Sequence, residues 1–197
     1  TAMGELPQSM GLTRAGARPG DDIWVSGCVG GAWAALMHRW GKLTLDARVF
    51  PSAALAMDRP NPRNALGTAL LSSATACADI SDGLAQDLGH ILERSGVDAD
   101  VLWDAVPKHP ALAALSQEQQ VEAAMSGGDD YELVFTAPAD KRGLIEQASI
   151  SALTPVTRIG RIIEKKQSGA PLAIRDASGR PLFLPVQGFD HFAQGAD

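Results

Sequence analysis

Two short acidic runs, each beside a predicted strand, are the segments of this sequence best suited to binding charged ligands. The first acidic motif reads Asp-Ile-Ser-Asp-Gly-Leu and occupies residues 79–84. The small and apolar residues at 75–80 predict a buried strand, and the spacing of leucines and isoleucines from Leu84 predicts a helix directly after the glycine. Ligands of α/β folds bind at such strand-to-helix turns, so this turn is a candidate binding site.

The chemistry of the first acidic motif favours a divalent cation. Asp79 and Asp82 are separated by the turn, and paired carboxylates can hold Mg²⁺, which prefers hard oxygen ligands and accompanies substrate phosphates. Ser81 shares a face with Asp79 in an extended chain, and the following helix N-terminus adds amide donors for an anion. A carboxylate that ends an apolar strand also needs a partner to offset its desolvation. The alternative is a plain helix N-cap, which Ser-Asp-Gly also fits.

The second acidic motif, Gly-Gly-Asp-Asp-Tyr-Glu-Leu at 127–133, precedes a strand predicted at 131–136. Its glycines permit positive φ, and its three acidic groups fall within four positions. Like charges this close repel, so nearby cations or hydrogen-bond donors are expected. A solvated turn is the alternative interpretation.

Two further segments contain candidate ligand contacts. Arg14 and Arg18 lie in a Gly-containing stretch and are suited to hold phosphate oxygens, although exposed loop arginines look the same in a sequence. Near the C-terminus, Phe189 could stack on a planar ring or anchor the tail to the core. A neighbouring residue, His191, fits a structural histidine better than a base.

The predicted elements that position these residues alternate between strand and helix. This alternation predicts an α/β fold class, a mixed sheet covered by helices. The prolines at 51–62 indicate a loop or helix-breaking stretch, and Asp-Ala-Ser-Gly at 176–179 predicts a hairpin across 172–184. The remaining predictions are strands at 22–26, 99–103 and 156–163 and helices at 32–40, 64–71, 84–95, 111–115, 117–125 and 139–148.

Composition excludes several classes of function. Lys and Arg number 17 against 23 Asp and Glu, and this acidic balance without a basic block argues against a nucleic-acid partner. The two cysteines lack zinc spacing, and no Gly-x-Ser-x-Gly elbow supports a hydrolase. No apolar run approaches the roughly 20 residues of a membrane span, so no membrane partner and a cytoplasmic location are expected.

The order of the motifs resembles a known family. Thr-Arg-Ala-Gly-Ala-Arg-Pro-Gly-Asp at 13–21, Pro-Arg at 62–63, the two acidic motifs and Gly-Phe-Asp-His-Phe at 188–192 occur in sequence. Together they resemble thiamine-monophosphate kinases, which belong to the aminoimidazole ribotide synthetase-like superfamily of ATP-dependent enzymes. The pair of acidic motifs is the most specific part of this resemblance, which spans nearly the whole chain.

The resemblance implies a division of the chain and roles for its residues. Residues 1–11 would end an N-terminal ATP-binding domain, 12–165 would form the C-terminal synthetase-like domain, and 166–197 would be its hairpin and tail. By resemblance, the metal ligands are Asp79 and Asp82, the contacts of ATP phosphates are Arg14 and Ser81, and the contacts of the thiamine substrate are Asp129 and Phe189. The family usually has Glu where this chain has Asp129, so that side chain reaches one methylene less far.

The implied reaction transfers a phosphoryl group from ATP to thiamine monophosphate, giving ADP and thiamine diphosphate. The transfer would be direct and Mg²⁺-assisted, with no phospho-enzyme and no catalytic nucleophile, and the full-length enzyme would be a homodimer. Two alternatives remain open at this point. One is another ATP-using enzyme of the superfamily, such as selenide water dikinase, and the other is a fragment that binds a metal or partner without catalysis.

Overall fold

A six-stranded mixed sheet forms the centre of the protein, as the alternation of elements predicts. The computed structural model describes residues 11–182. The strand order is β2-β4-β1-β5-β3-β6; every neighbouring pair is antiparallel except β3 and β6, which are parallel. The strands are β1 Asp22–Ser26, β2 Ala76–Asp79, β3 Asp98–Leu102, β4 Leu133–Ala137, β5 Val156–Ile163 and β6 Leu172–Arg175.

Six α-helices surround this sheet in the described residues. They are α1 Gly31–Arg39, α2 Phe50–Asp58, α3 Asn64–Ala69, α4 Leu84–Ser95, α5 Gln117–Val121 and α6 Arg142–Ser151. A π-helical segment, Glu122–Ser126, continues α5, and short 3₁₀ turns occupy Trp103–Ala105, Pro110–Leu112 and Ala139–Lys141. Helix α4 ends at Ser95, and Gly96, with a φ of 68°, caps its C-terminus in the left-handed conformation. Within residues 11–182, no helix has the length and apolar character to cross a bilayer.

Alternating side chains divide the core into two layers, one on each face of the sheet. On β1, Ile23 and Val25 join the larger cluster with α1 and α4, whereas Trp24 joins the smaller cluster with α3 and α6. The same period of two holds on β4, where Val134 and Phe135 belong to opposite clusters. The sheet is therefore packed on both faces. Strands β1 and β2 run in the same direction on either side of β4, so both end at the same edge of the sheet.

The prediction of a loop or helix-breaking stretch at 51–62 is wrong, because helix α2 occupies most of these residues. Pro51 occupies the first turn, where the missing N–H costs no helical hydrogen bond. The helix then ends at Asp58, before the Arg-Pro-Asn-Pro run. The predicted hairpin turn is present: Gly179 N–H donates to the carbonyl of Asp176 and Leu182 N–H to that of Ile174. Its second arm beyond residue 182 lies outside the described residues.

Candidate functional site

Backbone hydrogen bonds join the two acidic motifs at one edge of the sheet. Strands β2 and β4 are antiparallel neighbours, with Asp79 opposite Leu133. Their pairing continues past the regular strands. The N–H of Ile80 donates to the Glu132 carbonyl at 2.8 Å, Tyr131 N–H to the Ile80 carbonyl at 2.9 Å, and Asp129 N–H to the Ser81 carbonyl at 2.9 Å. The structure therefore brings together two segments that are separated by more than 40 positions in the sequence.

Two glycines make this close approach of the backbones sterically acceptable. At Gly83, with φ of +118°, a Cβ would lie 2.8 Å from the carbonyl oxygen of Met125 and 2.8 Å from Cα of Ser126. At Gly128, with φ of +66°, a Cβ would lie 2.6 Å from the carbonyl oxygen of Ser81. Both contacts are with backbone, which has no flexible end to move aside, so each motif needs its glycine.

The side chains of the second acidic motif alternate between the interior and the solvent. Asp130 and Glu132 are buried, whereas Asp129 and Tyr131 are exposed. The exposed pair also has left-handed backbone, with φ of 58° at Asp129 and 50° at Tyr131. This conformation is strained for residues with a Cβ and persists only where the surrounding structure enforces it. The interpretation as a simple solvated turn does not describe this segment.

Glu132 is held by a buried ion pair. Arg63 Nε donates to Glu132 Oε2 at 2.6 Å while a second guanidinium nitrogen bonds Oε1, and Ser26 Oγ donates to Oε2 at 2.5 Å. The side chains of Arg63 and Glu132 are only 16% and 8% exposed. Hydrogen bonding to the carboxylate raises the pKa of Arg63 further, so the guanidinium stays charged. The Pro-Arg landmark at 62–63 thus connects α3 to the second acidic motif.

Asp130 connects the same motif to helix α1. The N–H of Gly30, the residue before α1, lies 2.9 Å from both carboxylate oxygens of Asp130. Burial raises the pKa of Asp130 to about 7, although the N–H groups of Gly30 and Ala32 act in the opposite direction. The charges of the neighbouring acidic residues, Glu132 and Asp129, add to the increase. The two inward carboxylates, Asp130 and Glu132, are therefore anchors of the turn.

A buried carboxylate that the sequence analysis missed, Asp87, shapes the first acidic motif. Its Oδ2 accepts the N–H of Ser81 at 2.9 Å and that of Asp82 at 3.0 Å. Desolvation raises its pKa above the ordinary value. Helix α4 begins at Leu84, and its N-cap residue is Gly83, which makes no side-chain cap hydrogen bond, so neither Ser81 nor Asp82 caps the helix with its side chain. An acidic residue in the first turn of the predicted helix was the available signal.

Three carboxylates of the site face outward without a cationic partner among residues 11–182. These are Asp79, Asp82 and Asp129, and in this part of the chain none of them forms a salt bridge. Their charges all act on one hydroxyl: the charge of Asp129 raises the pKa of Tyr131 most, and the charges of Asp79 and Asp82 also contribute to the increase. The carboxylate of Asp129 contacts the Tyr131 hydroxyl at 3.2 Å, and all three charges together create a negative field there.

Asp79 differs from the sequence prediction in one respect. It is exposed at the end of β2, so the argument that its burial demands a partner is wrong. Along β2, Ala76 and Ala78 are buried and Cys77 is half-buried, and burial ends at position 79. Within the two acidic motifs and the start of α4, the carboxylates that need partners because of burial are instead Asp87, Asp130 and Glu132. The exposure of Asp79 leaves it accessible to a ligand.

The carboxylate oxygens of the site are of the type that a hard cation prefers, but they are too few in the described residues to hold one alone. Carboxylates on adjacent turns are suitable oxygen ligands, and Asp82 is half-buried with one oxygen accepting from Gln86 Nε2 at 3.2 Å. In the described segment, however, no three His, Cys, Asp or Glu side chains are grouped closely enough to hold a metal ion. Asp79 and Asp82 could therefore supply two ligands, and further ligands would come from phosphate, water or other residues.

The other predicted contacts lie in different places. Ser81 is half-buried in the turn between the two aspartates, as expected for a residue near the outward carboxylates. Arg14 is exposed, and its carbonyl accepts from Oγ of Ser95 at the far end of α4. Because α4 has 12 residues, that end lies about 18 Å from the first acidic motif. The role of Arg14 stays a prediction, and Phe189 lies outside the described residues.

The two cysteines are free thiols. Both Cys28 and Cys77 are half-buried, and desolvation raises their pKa to about 11 and about 12. Neither is a thiolate near neutral pH, so neither is suited to nucleophilic chemistry.

Comparison with known proteins agrees with the resemblance noted in the sequence. Among curated proteins, the thiamine-monophosphate kinase of Salmonella typhimurium is 39% identical over 195 residues, which cover 96% of this chain and 58% of the relative. A crystal structure of thiamine-monophosphate kinase from Stenotrophomonas maltophilia is 40% identical with a TM-score of 0.78, covering 86% of this chain and 54% of that one. A structure of AaThiL complexed with AMPPCP and TMP is 27% identical with a TM-score of 0.68, covering 87% and 52%.

These coverages show that the chain spans less than two thirds of the length of the relatives it matches. The family assignment depends on a separate comparison. A protein-family model described as AIR synthase related protein, C-terminal domain, matches residues 18–172, which include strands β1 to β5, the first residue of β6 and both acidic motifs. The chain therefore belongs to the AIR synthase related protein family and contains its C-terminal domain.

Proposed function

We propose that the protein containing this chain transfers a phosphoryl group from ATP to thiamine monophosphate, forming thiamine diphosphate. The observation that carries the proposal is the site itself, in which two hydrogen-bonded motifs direct Asp79, Asp82 and Asp129 outward without cationic partners in the described residues. Phosphoryl transfer requires positioning and charge neutralisation more than covalent chemistry, and such a site suits that requirement. The named relatives and the AaThiL complex with AMPPCP and TMP support the same reaction.

The acidic pair of the first motif would hold Mg²⁺. Carboxylates of Asp79 and Asp82 would be the ligands, and a bound Mg²⁺ would neutralise charge on phosphate oxygens. The N–H groups of Ser81 and Asp82 are turned toward Asp87, which fixes the path of the turn and hence the starting points of both side chains. Ser81 lies between the two aspartates in the sequence, and its Oγ would donate to a phosphate oxygen of ATP.

The second acidic motif would bind the acceptor. Asp129 is exposed, and its backbone N–H is fixed by the Ser81 carbonyl, so the carboxylate is carried on the same rigid unit as the first motif. Such fixed placement of the acceptor beside the donor phosphates is the main contribution a protein makes to this kind of transfer. The inward anchors Asp130 and Glu132 would keep that unit in place.

Other parts of the proposal concern residues and properties beyond this site. Arg14 would contact ATP phosphates, and Phe189 would pack on the rings of the substrate. The full-length enzyme would be a homodimer that has a separate ATP-binding domain before residue 12. A cytoplasmic location accords with a biosynthetic kinase of this kind.

Substitution of the acidic pair tests the proposal. In the product of the complete reading frame that includes this sequence, Asp82→Asn and Asp79→Asn should each lower kcat for thiamine diphosphate formation by about 10²-fold or more, because each removes charge that faces the phosphates. Asp140→Asn, at an exposed aspartate before α6, is the matched control and should leave kcat unchanged. Thermal unfolding should be similar in all variants. Full activity of Asp82→Asn would contradict the proposed role of the first motif.

A further inference from the structure

Tyr131 is an unusual residue for a position at the edge of the site. Its φ of 50° is left-handed, which is an outlier for a bulky side chain, and its N–H is fixed by the Ile80 carbonyl at 2.9 Å. It is nevertheless 43% exposed, while its neighbours Asp130 and Glu132 are buried. Packing does not explain a strained backbone that holds an aromatic ring in solvent. The strain at Tyr131 points instead to a contact between its ring and a ligand.

The surroundings of the ring define what kind of ligand it suits. Tyr131 Oη donates to Asp129 Oδ1 at 3.2 Å, and the charges of Asp79 and Asp82 also act on this hydroxyl. Within residues 11–182 no Lys or Arg lies over the ring and no other aromatic side chain stacks on it. An open aromatic face in a negative field favours a planar cation over a neutral ring or an anion.

We infer that Tyr131, acting as a pair with Asp129, contacts the cationic ring of the phosphoryl acceptor and makes the site specific for that charge. This inference rests on the proposed function, in which the acceptor is thiamine monophosphate with its positively charged thiazolium ring. The ring of Tyr131 supplies a cation–π contact, and its hydroxyl holds the Asp129 carboxylate in place. Tyr131 is thus a substrate-contacting residue in addition to those implied by the family resemblance.

Steady-state kinetics with two acceptors test this inference. The acceptors are thiamine monophosphate and the phosphate ester of 3-deazathiamine, whose thiophene ring is neutral. In the product of the complete reading frame, Tyr131→Leu should raise KM for the cationic acceptor about fivefold and leave KM for the neutral one nearly unchanged. Tyr131→Phe keeps the ring and should retain most of this preference. Trp40→Leu, at another exposed aromatic residue 57% exposed at the end of α1, should change neither KM.

The outcomes separate this inference from the proposed function. A wild-type protein that forms thiamine diphosphate, together with a Tyr131→Leu variant that keeps the same ratio of the two KM values, would overturn the inference alone. A wild-type protein that forms no thiamine diphosphate would overturn the proposed function, and the inference with it.

A spectroscopic readout does not depend on turnover. Tyr131 is the single tyrosine of this chain, so incorporation of 3-fluorotyrosine places one ¹⁹F label in it. In the product of the complete reading frame, the ¹⁹F resonance that is absent from the spectrum of the Tyr131→Phe variant is the resonance of Tyr131. Saturation with thiamine monophosphate should shift this resonance more than saturation with the neutral analogue. Equal shifts, or no shift with either compound, would overturn the inference.

Discussion

At the scale of residues, the role of each carboxylate in the second acidic motif depends on whether its side chain points to the solvent or to the interior. Asp129 faces solvent, whereas Asp130 and Glu132 face the interior and accept hydrogen bonds from Gly30 and from Arg63 with Ser26. A buried carboxylate without donors would be strongly destabilising, so these bonds are necessary for the motif to exist. Asp129 faces away from the two inward acids, which reduces the repulsion, although the charges of Glu132 and Asp129 still raise the pKa of Asp130.

The pH dependence of stability tests the environment of Asp130. The folded protein holds a proton on Asp130 up to a pKa of about 7, whereas the unfolded chain releases it near the ordinary 3.8. Between these two values the folded state binds more protons, so the free energy of unfolding falls as pH rises through this window, by at most about 1.4 kcal/mol per pH unit. This contribution is fully present below pH 3.8 and absent above about 7.

Asp130→Asn should remove that contribution while keeping an oxygen acceptor for Gly30 N–H. Chemical denaturation of both proteins between pH 4 and pH 7.5 measures the difference. The wild type should lose stability relative to the variant as pH rises. Parallel curves over the whole range would show that Asp130 is ionised normally in the folded protein.

At the scale of elements, the site depends on the join between the turn after β2 and the turn before β4. Three backbone hydrogen bonds hold this join, and Gly83 and Gly128 let the two chains approach. Helix α4 follows directly and contributes Asp87, which accepts two N–H groups of the first motif. The join therefore acts as one unit, and damage at either glycine should affect both motifs.

Gly83→Ala tests the steric requirement of the join. The added Cβ would meet backbone of Met125 and Ser126 at a φ of +118°, so the free energy of unfolding should fall by about 2–4 kcal/mol. Gly89→Ala in the same helix is the control, since its Cβ meets no atom within 4 Å, and it should stabilise by about 0.5–1 kcal/mol. Urea denaturation measures both. Equal effects of the two substitutions would contradict the close approach.

The sequence predicted local features well and long-range partners poorly. The boundaries of β1 and β5 agree with the predicted 22–26 and 156–163, because periodicity and turn residues are local signals. Helix α2 was missed because Pro51 was interpreted as a breaker although it lies in a first turn. The anchoring roles of Asp130 and Glu132 were also missed, since their partners Gly30 and Arg63 lie 100 and 69 positions away.

At the scale of the whole molecule, the two-faced core explains why the site lies where it does. Helices α1 and α4 cover one face of the sheet, and α3 and α6 cover the other, so the edge where β1 and β2 end remains accessible. The family domain covers residues 18–172 and thus strands β1 to β5, while the relatives extend well beyond the length of this chain. The activity proposed here accordingly belongs to the protein as a whole.

The most direct test of the central claim is product formation by the protein made from the complete reading frame. The purified protein is incubated with ATP and thiamine monophosphate, with and without Mg²⁺, and thiamine diphosphate is quantified by chromatography. Thiamine diphosphate should form only when both substrates and Mg²⁺ are present, in equal amount to ADP. A folded protein that binds ATP but forms no thiamine diphosphate would contradict the account and make another acceptor of the superfamily, selenide first, the next to test.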